Sequence, residues 1–228
     1  MRRDGDVMSE GIRVPLHQMQ AAAASLVERL GSGSVVVVGS IRRQRPMVGD
    51  IELVARLPGG DVKHADQDPL FRAINGMVSN PMREPAETLF AAPAAPLPGR
   101  PIGSAISGLK PGFRALSLML TPREGPQIPC QIYRSTPRNH GWVMVQRTGP
   151  REFGIAFLAD WKRAYGIPLG SEAHRACIDG HLVDAQGAVV EVPTEEDAFR
   201  LCRRKWIDPD LRDVHMDQQR IMDRELMR

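Results

Sequence analysis

The fold is decided by residues 35–53, which read VVVVGSIRRQRPMVGDIEL. An apolar β-branched run, typical of a buried strand, ends at Gly39-Ser40, and a second apolar run opens with Gly49-Asp50-Ile51-Glu52. Asp50 and Glu52 are two residues apart, so on a strand their carboxylates project from one face. Neighbouring carboxylates repel each other, and a divalent cation relieves that repulsion. The pattern therefore predicts a metal site beside a turn.

The Gly39-Ser40 turn offers backbone N–H groups and a hydroxyl to a phosphate, and the arginines that follow it can neutralise charge. An isolated Asp-x-Glu is usually a solvated strand face, and an isolated Gly-Ser is usually only a turn. The combination is more specific than either part. Turn, arginines and paired acids together suit metal-assisted nucleotidyl transfer.

The composition is that of an ordinary globular protein. The chain has 228 residues, a hydrophobic content of 42%, a formal net charge of +3 and a pI of about 9.0, so a nucleic-acid surface has to be a local patch. We see neither a membrane-length apolar run nor a signal peptide, and we expect a cytoplasmic protein with no membrane partner. Cys130, Cys177 and Cys202 stand singly, which suits reduced thiols and gives no zinc spacing.

Periodicity and turn residues predict the order of elements. We expect helices over 15–30, 70–78 and 151–165, a last helix capped by Thr194, strands over 34–38 and 51–57, a hairpin formed by 113–120 and 127–135, and short strands within 176–192. Residues 91–112, rich in Pro, Ala and Gly, predict a surface loop, with a DNA-contacting loop as the less favoured alternative. We expect Trp142, Trp161 and Trp206 to lie in the core.

The motif G-S-x-R-R-x(5)-G-D-I-E resembles the signature of the DNA polymerase beta-like (family X) nucleotidyltransferases. Further blocks resemble the small bacteriophage-type members that lack a lyase domain; they are TPRNHGW (136–142), RTGPREF (147–153), DGHL (179–182), PTEEDAF (193–199) and WIDPDLR (206–212). The resemblance covers residues 15–213, with gaps over 60–112. It implies an α+β fold: a nucleotidyltransferase palm over 1–140 (a mixed β-sheet with helices on one side, and an insertion near 91–112), a small α/β thumb-like subdomain over 141–213, and a charged tail over 214–228.

The resemblance also implies Mg²⁺ as the cofactor, with Mn²⁺ as a substitute, and a nucleoside triphosphate and primer or gapped DNA as partners. The location would be the host cytoplasm if the chain is of phage origin; the oligomeric state stays open. The residues that match the family motifs carry these implied roles: Asp50 and Glu52 as metal ligands; Asp50, Glu52 and Gln131 as catalytic positions; Gly39, Ser40, Arg43, Gly49, Thr148 and Gly149 as nucleotide-binding positions.

Two departures from the family pattern affect this interpretation. Gln131 stands on the strand where the family has a third carboxylate, and an amide is a weaker ligand for a hard cation. Strand alternation puts Gln131 on the face of Pro129 and Tyr133. Gly154 stands where the family has an Asn that contacts the incoming base. We further expect a cis Gly149–Pro150 peptide bond.

Three functions stay open at this point. The first is transfer of a nucleotide to the 3′-end of DNA. The second is a catalytically weak or inactive nucleotide- or DNA-binding protein, for which Gln131 is the motive, unless Glu124 or Glu152 supplies the third ligand. The third is transfer to a non-DNA acceptor, because a fold does not fix a substrate.

Overall fold

The computed structural model describes residues 13–31, 33–57, 70, 74, 105–111 (backbone only), 115–121, 126–169 and 176–213. Its strands are β1 (Val14–Pro15), β2 (Val35–Val37), β3 (Met47–Val48), β4 (Ile51–Arg56), β5 (Ala105–Pro111), β6 (Ala115–Thr121), β7 (Ile128–Ser135), β8 (Cys177–Ile178) and β9 (His181–Leu182). Its helices are α1 (Leu16–Leu30), α2 (Gly39–Arg42), α3 (His140–Thr148), α4 (Arg151–Ala164) and α5 (Glu195–Leu201), followed by a 3₁₀ turn over Pro209–Leu211.

A five-stranded mixed sheet in the order β2-β4-β7-β6-β5 organises the first part of the chain. Strands β4 and β7 are parallel, and all other neighbours in this sheet are antiparallel. Strand β4 is buried at Ile51, Leu53, Val54 and Ala55 because it lies inside the sheet with both faces covered. Helix α1 packs on one face through a stripe of apolar residues at helical spacing: Met19, Ala23, Leu26 and Leu30. This mixed α+β architecture confirms the predicted fold class.

A second hydrophobic core lies among α3, α4 and α5. It is built from aromatic side chains, with Phe157 and Phe199 in edge-to-face contact at 5.2 Å between ring centroids. Trp142 and Trp161 are fully buried there, as predicted. Trp206 is 40% exposed, so its predicted core position is wrong. Its indole N–H donates to the Asp208 carboxylate at 2.8 Å, which keeps the polar edge of the ring at the surface.

The segment 91–112 contains a strand that its composition did not predict. Residues 105–111 form β5, so the predicted loop is wrong there, and residues 91–104 and 112 lie outside the described part of the chain. Among the described strands, β5 lies at the edge of the sheet beside β6, and its register shifts between Ser107 and Lys110. An edge strand with an irregularity tolerates Pro and Gly, because one side of it needs no ladder hydrogen bonds.

Most of the other predicted helices and strands are present in the structure, and the rest fall on residues that it does not describe. Helices α1, α4 and α5 and the hairpin β6–β7 are confirmed, as is the Thr194 cap, whose hydroxyl accepts from the Asp197 N–H at 3.1 Å. Most of the predicted helix 70–78, the tail from 214 and Glu124 lie outside the description. In the part that is described, no helix has the length and apolar character needed to cross a membrane.

The predicted cis Gly149–Pro150 bond is wrong, because the peptide is trans. Gly149 is extended, with φ −73° and ψ 160°, and Pro150 continues with φ −62° and ψ 163° at the start of α4. A residue before proline favours this extended conformation. The trans path already leads from α3 into α4, so the sharp turn needs no cis bond.

Candidate active site

Asp50 and Glu52 lie where β4 begins, at one end of the inner strands. Asp50 directly precedes the strand and Glu52 is its second residue. Burial raises the pKa of Glu52, and the neighbouring Asp50 carboxylate raises it further. Burial also raises the pKa of Asp50, against the opposing effects of Arg13 and Arg43. Two hard oxygen donors that disfavour each other's charge are suited to a divalent cation such as Mg²⁺.

Gly39 is required beside this pair for two independent reasons. Its φ is +65°, a left-handed conformation that other residues adopt only with strain. A Cβ at this position would also overlap the side-chain oxygen Oε2 of Glu52. The Val38 N–H donates to the Glu52 carbonyl at 2.9 Å and fixes the turn against β4. The Gly39-Ser40 turn, which begins helix α2, therefore packs directly on Glu52.

Gln131 lies directly opposite Glu52 in the parallel pairing of β4 with β7. Its strand neighbours Cys130 and Ile132 are buried in the core, which directs Gln131 to the other face of the strand. The Tyr133 hydroxyl donates to Glu52 Oε1 at 3.2 Å and also lies against Gln131 Oε1. Burial, followed by the charge of Glu52, raises the pKa of Tyr133 to about 12, so Tyr133 stays protonated and acts as a donor.

The arginines after the turn bind other parts of the chain. Arg42 donates to the Thr148 hydroxyl at 2.8 Å and pairs with Glu195 at 2.5 Å. Arg43 donates to the Thr148 carbonyl at 2.7 Å and to Asp213 at 3.0 Å. Thr148 is fully buried, and the two arginines engage both its hydroxyl and its carbonyl. The basic segment thus ties the turn to the end of α3 and to the C-terminal part of the described chain.

Arg212 completes this network inside the second core. Its side chain is fully buried and its Nη1 donates to Glu195 at 2.9 Å. The guanidinium carbon lies 5.3 to 5.5 Å from the ring centroids of Phe153, Phe199 and Trp206. Burial lowers the pKa of Arg212, and Glu195 opposes that effect. Sequence reasoning assigned these residues to family motifs but did not predict that they meet.

A pocket of about 400 Å³ opens beside Glu52. It is lined by Arg43, Glu52, Gln146, Arg147, Gly149, Pro150, Arg151, Gly154, Ile155 and Leu158. Of the sequence-predicted site residues, Arg43, Glu52 and Gly149 line it; Gly39, Ser40, Gly49, Asp50, Gln131 and Thr148 do not. Arg147, which sequence reasoning did not select, is new to the site; its only signal was its place before Thr148-Gly149.

Gly154 leaves space in this pocket, since a Cβ built there meets no atom within 4 Å. Among the residues that the structure describes, no three His, Cys, Asp or Glu side chains come together as a metal-binding group. Glu152 is an exposed residue of α4, and the pocket lining does not include it. The described acidic donors at the site are thus Asp50 and Glu52.

Comparison with solved structures identifies the fold. The chain is similar to Leishmania infantum polymerase beta in a ternary P/T complex, with a TM-score of 0.58 and 16% identity, over 88% of this chain and 77% of that one. It is similar to the same polymerase in a ternary gap complex, with a TM-score of 0.56 and 15% identity, over 89% and 71%. No family model matches the sequence, and no curated protein is significantly similar. The chain has the polymerase beta-like nucleotidyltransferase fold.

Proposed function

We propose that this protein is a Mg²⁺-dependent nucleotidyltransferase that transfers a nucleotide from a nucleoside triphosphate to the 3′-hydroxyl of DNA. The observation that carries the proposal is the Asp50–Glu52 pair at the start of β4, of which Glu52 packs on Gly39 and lines a nucleotide-sized pocket. The acidic pair and the turn come from one short motif, and the fold brings that motif next to the pocket.

In this proposal Asp50 and Glu52 hold Mg²⁺, and Mn²⁺ substitutes for it. The cation supplies charge neutralisation for the attacking and leaving oxygens of an in-line displacement. The two carboxylates would orient it from a single strand end. Burial is the first cause of the raised pKa of each carboxylate, and the charge of Asp50 raises the pKa of Glu52 further, an effect that a bound cation offsets. Gln131, across the strand pair from Glu52, contributes at most a neutral amide oxygen.

The pocket lining combines charged and apolar side chains, which suits a nucleotide. We assign the triphosphate to the neighbourhood of Arg43 and Glu52, together with Ser40 and the Gly39 and Gly49 backbone. We assign the sugar and base to Pro150, Ile155 and Leu158, beside Gly149. The chain's own contribution is mostly positioning and charge, the two effects that dominate phosphoryl-transfer catalysis.

DNA is the acceptor that we propose. The support is the family resemblance of the sequence motifs and the fold shared with a polymerase beta that was solved in P/T and gap complexes. The relation to bacteriophage-type members and the division at residue 140 into palm and thumb-like subdomain belong to the same proposal. The positions of the two hydrophobic cores support that division.

Primer extension tests this function. Wild-type protein, Mg²⁺, the four deoxynucleoside triphosphates and a primed or gapped duplex are expected to give Mg²⁺-dependent extension. Asp50→Asn keeps the size of the side chain but removes its charge, so we expect at least a hundredfold loss. Asp210→Asn is the matched control, because Asp210 is exposed in the 3₁₀ turn and is not in the pocket lining. Extension that survives Asp50→Asn contradicts the assignment.

A second candidate is a nucleotide-binding protein with little or no transferase activity. The observation that favours it is Gln131 facing Glu52 across the strand pair, because the site then has one charge fewer for a reaction that depends on charge stabilisation. Tight Mg²⁺–nucleotide binding without product on any primer would support it. Labelling of a small molecule or protein in place of DNA would support the remaining alternative, a non-DNA acceptor.

A further inference from the structure

The pocket beside Glu52 carries more positive than negative charge. Three arginines and one carboxylate are among its lining residues. Arg43 has two of its donors engaged, with Nε on Asp213 at 3.0 Å and Nη1 on the Thr148 carbonyl at 2.7 Å. Arg151 lies exposed in the first turn of α4. The third arginine of the pocket lining, Arg147, differs from both.

Arg147 is held on an aromatic platform. Its guanidinium carbon lies over the Tyr133 ring, 3.9 Å from the ring centroid, a cation–π contact. In the described part of the chain, no hydrogen bond or ion pair engages this guanidinium. The contact with the ring holds the group in place without using its N–H donors, so they can bind an oxyanion in bidentate fashion.

The platform itself is anchored to the acidic site. The Tyr133 hydroxyl donates to Glu52 and contacts Gln131, so the ring that supports Arg147 is fixed to both strands of the β4–β7 pair. The positive charge of Arg147 is close enough to Glu52 to lower the pKa of that carboxylate. Arg147 therefore sits beside the acidic site, with its donors available.

We propose that Arg147 binds the phosphate chain of the nucleotide beside Glu52, and that Tyr133 is its positioning residue. The inference rests on the proposed function, whose site it extends. A pocket of about 400 Å³ admits a single nucleotide rather than a duplex, so the phosphate is that of the free nucleotide. Thymidine triphosphate, inorganic tripolyphosphate and thymidine separate the phosphate contact from contacts to sugar and base.

Equilibrium binding of these three probes in Mg²⁺ buffer tests the inference. We expect Arg147→Gln to weaken thymidine triphosphate and tripolyphosphate at least tenfold and to leave thymidine unchanged. Arg147→Lys keeps the charge without the planar fork and is expected to fall between Arg147→Gln and wild type. Arg138→Gln is the matched control, because Arg138 is exposed, pairs with Glu191 and is not in the pocket lining. Thermal unfolding checks that each variant is folded.

Tyr133 is tested through the same probes. Tyr133→Phe keeps the platform and is expected to keep tripolyphosphate affinity within about threefold, a difference of about 0.65 kcal/mol. Tyr133→Leu removes the platform and is expected to weaken tripolyphosphate but not thymidine. Phosphate binding by Arg147→Gln that equals the wild type overturns this inference alone. Failure of the wild type to bind either phosphate probe overturns the proposed function with it.

Discussion

Replacing Gln131 by Asp tests whether the missing carboxylate limits this site. Gln131 faces Glu52 in the β4–β7 register, and neighbouring strands lie about 4.8 Å apart. Ligand oxygens around Mg²⁺ lie about 2.1 Å from the ion, so a carboxylate at position 131 can share an ion with Glu52. Asp brings both a hard oxygen and a negative charge. We expect tighter Mg²⁺ binding and a transfer rate at least about tenfold higher, equivalent to about 1.4 kcal/mol.

The same substitution has an opposite effect without metal. A new charge about 5 Å from another carboxylate costs about 0.8 kcal/mol in water, and this value is the minimum here because Gln131 is exposed but Glu52 is partly buried. Tenfold tighter binding of Mg²⁺ to the folded protein raises the free energy of unfolding by about 1.4 kcal/mol when Mg²⁺ is saturating. The variant should therefore unfold more easily than wild type in chelator and less easily in Mg²⁺.

Two assays measure these effects: thermal unfolding with and without Mg²⁺, and single-turnover nucleotide transfer. Gln131→Asn is the matched control, because it has the size of Asp without its charge and should show neither the reversal in stability nor the gain in rate. If Gln131→Asp and Gln131→Asn behave alike in both assays, the third-carboxylate argument is refuted.

Three further predictions concern residues around the site. Gly39→Ala should abolish nucleotide binding and lower the free energy of unfolding by at least about 1–2 kcal/mol, because φ is +65° and the new Cβ overlaps Glu52. Gly33→Ala is the control, because a Cβ at position 33 meets nothing within 4 Å, and it should change neither nucleotide binding nor unfolding in urea. Glu52→Gln should raise the stability of the metal-free protein at neutral pH, because the pKa of Glu52 is raised in the folded state and its charged form destabilises the fold above that pKa. The gain in stability should vanish as the pH falls through that pKa. Thermal unfolding in chelator at a series of pH values measures it. Glu195→Gln should lower the free energy of unfolding in urea by about 3–5 kcal/mol, because it leaves the buried Arg212 without its counter-charge. Glu191→Gln breaks an exposed ion pair and should lower it by at most about 1 kcal/mol. Equal losses for the two variants would show that the buried network is not important for stability.

The β2–turn–β4 unit was predictable because its sequence signals agree. Its apolar runs, its Gly-Ser turn and its paired acids act over short distances, and each predicts the same geometry. The face of the sheet on which Gln131 lies was also predictable, because side chains alternate between the two faces along a strand and β7 is long and well bounded. Helix α3 was not predicted over 140–148, since Trp142, Val143 and Val145 suit a strand as well as a helix, and only packing against two cores decides between them.

The contacts that close the site were not predictable from spacing. Arg42 meets Glu195 across 153 residues of sequence, and Arg43 meets Asp213 across 170. Nothing local to either arginine distinguishes a partner within the chain from a phosphate outside it. Arg147 was missed for the same reason, because it lies on α3 and contacts the ring of Tyr133, which lies on β7.

Anomalous diffraction from a crystal grown with Mn²⁺ and a non-hydrolysable nucleoside triphosphate tests the central claim most directly. We expect a Mn²⁺ peak within bonding distance of both the Asp50 and Glu52 carboxylates, with the triphosphate between that ion and the Gly39-Ser40 turn. A nucleotide bound elsewhere, or a Mn²⁺ peak that touches neither carboxylate, would contradict it.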